Sequence, residues 1–456
     1  MKYSIGLSKF AVIATSLLVS QLYAAAAFTP TDPDTGLWTG EQPLGSIGPI
    51  ELSDSNLAGG VNGYRGWFEN GAWQGDLIEY DISAGGALST SIDLTGTSPV
   101  QSTGGTNWSA FLQFDTNDDV ATYWNTGRKI ITRNGNLQIP FRWDDLSDTQ
   151  KAAVDSVGFA NGNTSSNILN FIRGDRSLEY PNGSYRYRFS LLGDIIHSSP
   201  EYVQVPNADI PDSTYVTFIN DNLSRAARVY VGANDGMLHA FNAATGDEVW
   251  AYIPPMVIDN LSKLAGRPFS HTYFVDGGTT VSDAYFDSKW HTLLVGSLGG
   301  GGKGLYALDV TDPNLSSETS TANADKKAIG ELDSNDGTYG DDVGYIFGPA
   351  VIAKLNDGDW YVISGNGVSS VNGVAKLFLV NLDTGVIKTM AAGSANGNGL
   401  SAPAVVDTDN DGKADIVYAG DIDGDLWKFD LTDPVATNWS TTAAYKLYDG
   451  VGTQPI

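Results

Sequence analysis

The sequence predicts an all-β fold, a β-propeller carrying a small helical insertion. Three observations point to it. A strand phrase recurs along the chain: Leu238-His239-Ala240-Phe241-Asn242, Leu305-Tyr306-Ala307-Leu308-Asp309, Leu377-Phe378-Leu379-Val380-Asn381 and Leu426-Trp427-Lys428-Phe429-Asp430. A fainter copy stands at Leu77-Ile78-Glu79-Tyr80-Asp81. Each alternates with the two-residue period of a strand and closes on Asn or Asp before a turn. Before most copies comes a second strand ending in Gly, as in Val229-Tyr230-Val231-Gly232, Leu293-Leu294-Val295-Gly296, Val362-Ile363-Ser364-Gly365 and Val417-Tyr418-Ala419-Gly420. Finally, Gly makes up 53 of 456 residues beside abundant Trp, Tyr, Thr and Val, the composition of many strands joined by tight turns.

The elements follow in order. Residues 1–27 predict a secretory signal peptide: Lys2 and Lys9 precede an apolar run from Phe10 to Leu22, with small residues from Ala24 to Ala27. The run is too short for a convincing membrane span, and no later stretch approaches the length a spanning helix needs. Residues 28–57, rich in Pro, Gly and Asp, predict an irregular segment. The propeller is assigned to 58–456, with the helical insertion at about 140–174. There Ser147 and Gln150 have capping-box spacing ahead of Lys151-Ala152-Ala153-Val154, and Ile168, Leu169, Phe171 and Ile172 predict a second short helix. From about residue 190 four units run in sequence. A third strand opens three of them just after Pro200, Pro349 and Pro403, where the missing N–H costs no ladder bond. A spacing of roughly 50 to 70 residues suits four-stranded blades with loop insertions.

Composition narrows the function. With no cysteine, the exported chain is not a disulfide scaffold. A formal charge of −27 argues against nucleic acid as a partner. It suits a surface whose Asp-rich loops hold cations.

One such loop carries chemistry. Asp407-Thr408-Asp409-Asn410-Asp411-Gly412-Lys413-Ala414-Asp415 places carboxylates at positions 1, 3, 5 and 9, with Gly at position 6. Ca²⁺ takes six to eight oxygens, and a tight loop turns alternate side chains toward one point. Gly412 permits the sharp turn, and the main-chain oxygen of Lys413 can serve as a ligand whatever its side chain. An EF-hand would need Glu at position 12, where Tyr418 stands, and apolar runs on both sides predict strands. The expected site is therefore a nine-residue calcium loop between two strands, with Asp407, Asp409, Asp411, Lys413 and Asp415 as ligands. An Asp-rich turn without metal is the plainer alternative.

Other motifs favour structural roles. Arg173-Gly174-Asp175 spells an integrin-binding tripeptide, but Gly174 also fits a helix C-cap. Asp421-Ile422-Asp423-Gly424-Asp425 aligns with the Gly turn of other blades. Asp115–Asp119 and Asp333–Gly337 read as acidic loops. The four histidines, at 197, 239, 271 and 291, lack metal-ligand spacing, and His239 reads as packed within its strand. No hydrolase elbow, Walker loop or zinc-protease motif is present, so no enzyme activity is expected.

Taken together, these phrases resemble the C-terminal propeller of the PilC/PilY family, calcium-binding adhesins associated with type IV pilus tips. The resemblance rests on Asn170-Phe171-Ile172-Arg173-Gly174-Asp175-Arg176, on Leu192-Gly193-Asp194-Ile195-Ile196-His197-Ser198-Ser199-Pro200, and on Val229 through Phe241 with its Gly232-Ala233-Asn234-Asp235-Gly236 centre. It extends to the Asp407–Asp415 loop with Tyr418-Ala419-Gly420-Asp421 after it. It is strongest over 170–456 and weaker from about 60. The resemblance implies a quinoprotein-like propeller and assigns Ca²⁺ to Asp407, Asp409, Asp411, Asp415 and the main chain of Lys413. It also implies an exported protein at the pilus tip, the cell surface or outer membrane, or in the periplasm. The implied partners are minor pilins and a host-cell or abiotic surface, with calcium regulating pilus extension or retraction and adhesion.

Two departures qualify this. The family's larger members carry a von Willebrand A-like domain with an Asp-x-Ser-x-Ser site; the nearest run here, Asp81-Ile82-Ser83-Ala84-Gly85, lacks the last Ser. The chain also ends at Gln454-Pro455-Ile456, where the family pattern continues into further blades, so closure of the ring stays open. Two alternatives belong to other classes. One is a periplasmic quinoprotein dehydrogenase, because Ala240–Trp250 resembles the tryptophan-docking repeat of those enzymes. Val310-Thr311-Asp312-Pro313 and Leu431-Thr432-Asp433-Pro434 lack the closing Trp, and no vicinal cysteine pair exists. The other is a carbohydrate- or protein-binding propeller unrelated to pili.

Overall fold

A computed structural model describes residues 45–53, 61–69, 73–84, 108–118, 122–154, 165–318, 327–393, 397–439, 444–450 and 455–456. Residues 1–27, expected to be a signal peptide, and most of 28–57 lie outside the described residues. The chain forms the β-propeller that its repeats predict, as five sheets.

The first sheet has three antiparallel strands, β1 (Gly45–Leu52), β2 (Val61–Glu69) and β3 (Gly75–Ile82), in that order. The fainter upstream phrase is β3. Strand β1 falls in the stretch whose composition suggested irregularity. It pairs with β2 through a register shift between Ile47 and Ile50, and Gly48-Pro49 sits in that shift. A bulge accommodates the residue that cannot donate a ladder bond.

The second sheet has six strands. β4 (Ile130–Asn134) and β5 (Leu137–Pro140) form a hairpin. β6 (Glu201–Val203), β7 (Arg228–Ala233), β8 (Met237–Asn242) and β9 (Glu248–Tyr252) form an antiparallel blade. β4 joins that blade by parallel pairing with β9, giving the order β5-β4-β9-β8-β7-β6. Every residue of β7 is buried, as a strand covered on both faces requires.

Three regular four-stranded blades follow. The first comprises β10 (Thr279–Phe286), β11 (Lys289–Ser297), β12 (Gly304–Asp309) and β13 (Ala328–Asp333). Next come β14 (Val351–Lys354), β15 (Trp360–Gly365), β16 (Ala375–Asn381) and β17 (Ile387–Ala392). The last blade is β18 (Ala404–Val406), β19 (Ile416–Gly420), β20 (Leu426–Asp430) and β21 (Ala444–Tyr448). Successive sheets touch in chain order, through β1 and β6, β6 and β10, β10 and β14, and β17 and β21.

Helices decorate this frame. α1 (Ala110–Asp118) lies against β3, followed by the single turn α2 (Tyr123–Thr126). Within the interval 140–174 are α3 (Asp148–Val154) and α4 (Ser165–Arg173). Ser147 and Gln150 cap α3 reciprocally: Gln150 N donates to Ser147 Oγ at 3.3 Å and Gln150 Oε1 accepts from Ser147 N at 3.1 Å. Ile168, Leu169, Phe171 and Ile172 on α4 enter a large core with Trp250, Tyr252 and the short helix α6 (Ile258–Leu261).

Beyond α3 and α4, none of the helices was legible in the repeats. α5 (Ser213–Asp221) interrupts the second sheet between β6 and β7, with Asp212 accepting from Thr214 N at its N-terminus. Its Tyr215 and Phe218 pack with Trp290 and Trp360, tying the excursion to the two blades that follow. A separate core joins the last two blades through Leu377, Leu379, Val417, Trp427 and Phe429.

Candidate metal centre

The loop connecting β18 and β19 begins where the two strands part, at the pair Val406 and Ile416. Its base is fixed on both sides. Asp415 N donates to Val406 O at 2.9 Å, and Leu431 N donates to Asp415 O at 2.7 Å. Ala414 N donates to Lys354 O of the preceding blade at 2.8 Å, and Leu355 and Ala414 form a parallel bridge. Asn356 Nδ2 reaches across the same seam to Asp415 Oδ1 at 2.9 Å and to Leu431 O at 3.0 Å.

The loop turns because two residues occupy the left-handed region, Asn410 with φ 63° and Gly412 with φ 86°. Asn tolerates that conformation and Gly adopts it freely. Main-chain N–H groups then fold onto the carboxylates. Asp407 accepts from Asn410 N at 2.7 Å and from Gly412 N at 2.8 Å. Asp415 Oδ2 accepts from Thr408 N at 2.8 Å and from Thr408 Oγ1 at 2.5 Å.

These restraints gather Asp407, Asp409 and Asp415 so that one oxygen from each lies within 4.8 Å of the others. Oxygens around one Ca²⁺ at 2.3–2.6 Å are separated by no more than roughly 5 Å, so the spacing fits a shared cation. The donor set is all oxygen, the chemistry a hard cation prefers. Asp411 is not among the three. It faces the Lys413 ammonium, with Asp411 Oδ2 to Lys413 Nζ at 2.6 Å. That contact holds the Asp411 carboxyl below, and the Lys413 amine above, their usual ranges. The Asp415 carboxyl is also held low, first by the Thr408 hydroxyl and then by the Asn356 amide. An exposed ion pair is weak, so Asp411 can exchange Lys413 for a stronger cation. The arrangement can bind and order a cation; it presents no nucleophile or paired acid and base.

The other sequence candidates separate clearly. Arg173 is buried against Glu318 at 2.9 Å, which withdraws the Arg-Gly-Asp tripeptide from display. Gly174 has φ 125° and caps α4, and Asp175 N returns to Asn170 O at 2.8 Å. Asp421 accepts from Asn398 Nδ2 and Trp427 Nε1, both at 2.8 Å, while Asp425 meets Lys446 at 2.5 Å. That run is a fastened strand turn. Asp333 and Asp336 accept from main-chain N–H groups within their own turn. The Asp115–Asp119 run belongs in part to α1, and its acidic side chains lie outside the described residues.

His239 is fully buried, with Nδ1 2.8 Å from Glu248 and Nε2 3.0 Å from Asp235. Glu248 also binds Arg128 Nε at 2.7 Å and Nη2 at 2.6 Å. Burial alone would lower the imidazole pKa. The Asp235 carboxylate, by charge and hydrogen bond, and then Glu248 outweigh that and raise it to about 9. Burial would raise Glu248, but Arg128 and then His239 bring it down to about 2. This is an internal clamp on the second sheet, and spacing alone gave no sign of its partners.

Known proteins place the chain. The sequence profile of the PilY1 beta-propeller domain matches residues 192–448. The type IV pilus biogenesis factor PilY1 of Pseudomonas aeruginosa (strain UCBPP-PA14) is 39% identical over 380 residues, covering 79% of this chain and 30% of that protein. A PilY1 homolog of Xylella fastidiosa (strain Temecula1) is 32% identical over 485 residues, covering 98% of this chain and 31% of the other. The crystal structure of the Pseudomonas aeruginosa PilY1 C-terminal domain is 36% identical, with a TM-score of 0.44 over 56% of this chain and 51% of that one. The chain thus spans under a third of the length of these full-length relatives. With more than half its residues matched by one domain profile, the chain belongs to the PilY1 beta-propeller family.

Proposed function

We propose that this chain is an exported, non-enzymatic type IV pilus biogenesis factor and tip adhesin whose Asp407–Asp415 loop binds Ca²⁺. Asp407, Asp409 and Asp415 would hold the ion, joined by Asp411 and the main-chain oxygen of Lys413. Bound calcium would neutralise crowded carboxylates and stabilise the loop and its two strands by mass action. On this reading calcium occupancy regulates pilus extension and retraction, and with them twitching and surface adhesion. Minor pilins at the pilus tip and a host-cell or abiotic surface are the partners. Among the described residues no helix is long and apolar enough to cross a membrane.

The observation that carries the metal assignment is the convergence of three carboxylate oxygens within 4.8 Å on a loop anchored to two blades. The pilus assignment is supported by the names of the relatives. Titration calorimetry with CaCl₂ tests the first, comparing the native chain with Asp409→Ala. Equal calcium binding by the two would overturn the site. Piliation of cells carrying Asp409→Ala tests the second: normal pili and twitching with calcium binding abolished would overturn the regulatory role while leaving the site intact.

A further inference from the structure

Beside the metal loop, on the side facing α5, lies a cavity of about 480 Å³. Its walls come from three distant stretches of chain: the lead into α5 with Asp209, two blades with Tyr285, Trp290, Trp360 and Lys354, and the loop itself with Asp411 and Lys413. We propose that this cavity is a binding site for a neutral saccharide, one or two sugar rings in size. The proposal deepens the adhesin reading by naming a ligand class for this face of the propeller.

The chemistry of the walls selects that class. One wall is aromatic: Tyr285 and Trp290 meet edge to face at 5.4 Å, and Trp290 and Trp360 at 5.8 Å. Trp290 spends its N–H on Thr214 Oγ1 at 2.8 Å, so it offers the cavity only apolar surface. Tyr285 is 40% exposed and presents a ring against which the C–H face of a sugar can stack. Around this wall stand Asp209, Lys354 and the Tyr285 hydroxyl. None of these three polar ends has a hydrogen-bond partner among the described residues. They supply acceptors and donors together, which is what a ring of hydroxyl groups requires.

Charge excludes the nearest competitors. An anionic ligand meets Asp209, Asp212 and Asp411, and a cationic one meets Lys354 and Lys413. A neutral polyol meets no like charge and can use the polar ends left open, Asp209, Lys354 and the Tyr285 hydroxyl. The volume lies within the roughly 300–1,000 Å³ typical of small-molecule sites.

The metal loop would tune this site, a step that rests on the calcium reading. Recruiting Asp411 to Ca²⁺ releases the Lys413 ammonium into the cavity, where it can donate to a hydroxyl. Saccharide affinity should then rise with calcium.

The test is an array of neutral and sialylated glycans probed with the full chain in CaCl₂ and in EGTA, followed by calorimetry on the glycans retained. Neutral saccharides should be retained, and Tyr285→Ala and Lys354→Ala should each weaken binding at least about tenfold with circular dichroism unchanged. Retention of no neutral glycan, retention of sialylated glycans only, or unchanged binding in both variants would overturn the proposal. Failure of the calcium reading looks different: saccharide binding persists and CaCl₂ gives no heat.

Discussion

Asp415 has two duties, only one of which its neighbour Asp409 shares, and replacing each with Ala separates them. Asp415 is 6% exposed and accepts three hydrogen bonds, from Thr408 N, Thr408 Oγ1 and Asn356 Nδ2. At about 1 kcal/mol net for each bond, Asp415→Ala should cost roughly 2–3 kcal/mol without any metal. The cost stays near that figure because Asn356 Nδ2 keeps Leu431 O at 3.0 Å, so its donor is not orphaned. Asp409 takes only Asp411 N, at 3.2 Å, and is exposed. Its loss should change metal-free stability by less than about 0.5 kcal/mol. In calcium both variants should lose most of the ligand stabilisation, about 2.7 kcal/mol for the native chain at a hundredfold excess over Kd. Urea unfolding followed by tryptophan fluorescence, in EGTA and in CaCl₂, measures both quantities. Asp415→Ala as stable as the native chain in EGTA, or Asp409→Ala retaining full calcium stabilisation, would refute the reasoning.

Three further predictions follow from particular contacts. Gly412→Ala places a side chain at φ 86° with its Cβ 3.3 Å from Pro211 Cγ, so it should cost about 1–2 kcal/mol and raise the calcium Kd in calorimetry. Arg173→Ala removes a buried guanidinium that serves Phe141 O, Arg128 O and Glu318, and should cost about 3–5 kcal/mol in urea unfolding. The same variant should leave integrin binding in a solid-phase assay unchanged. The His239 clamp makes stability depend on pH in both directions. His239 is raised from 6.5 to about 9, so its contribution is full below pH 6.5 and is lost as pH rises through 9. Glu248 is depressed from 4.5 to about 2, so its contribution is full above pH 4.5 and is lost as pH falls toward 2. At about 1.4 kcal/mol per pH unit the alkaline loss amounts to about 3 kcal/mol. Urea midpoints at pH 6 and pH 9 should differ accordingly, and His239→Gln should shrink that difference; an equal decline in the variant would count against the clamp.

The blades were legible because each strand repeats the same local solution, two-residue alternation closed by Asn or Asp and a Gly turn. Leu238, Leu305, Leu377 and Leu426 all begin or nearly begin a strand of the fold. The candidate metal loop was legible as a carboxylate pattern, and three of its four aspartates do converge. What spacing could not supply was competition at short range: the Lys413 ammonium lies close enough to hold Asp411 aside. The α5 excursion was missed because Tyr215, Phe218 and their partners Trp290 and Trp360 belong to different blades, and no periodicity links them. The β4–β5 hairpin does carry a local signal, the two-residue Gly135-Asn136 turn between its strands. What left no local trace is its place beside β9, set by a parallel partner far along the chain.

That hairpin also bears on how the chain reaches its folded state. Ile130 and Ile131 pair with Ala251 and Tyr252, and Thr132 Oγ1 donates to Ile253 O across 121 residues of sequence at 2.7 Å. Closing so long a loop is entropically costly, and folds rich in such pairings assemble slowly. During synthesis the hairpin emerges before β6 to β9 exist and must wait for them with its β4 edge unpaired. A chain arrested before residue 253 would carry that exposed edge, a template for intermolecular pairing. The same contact closes the stretch from residue 130 to residue 253 on itself, so that β4 and β9 should not separate without loosening the whole second sheet.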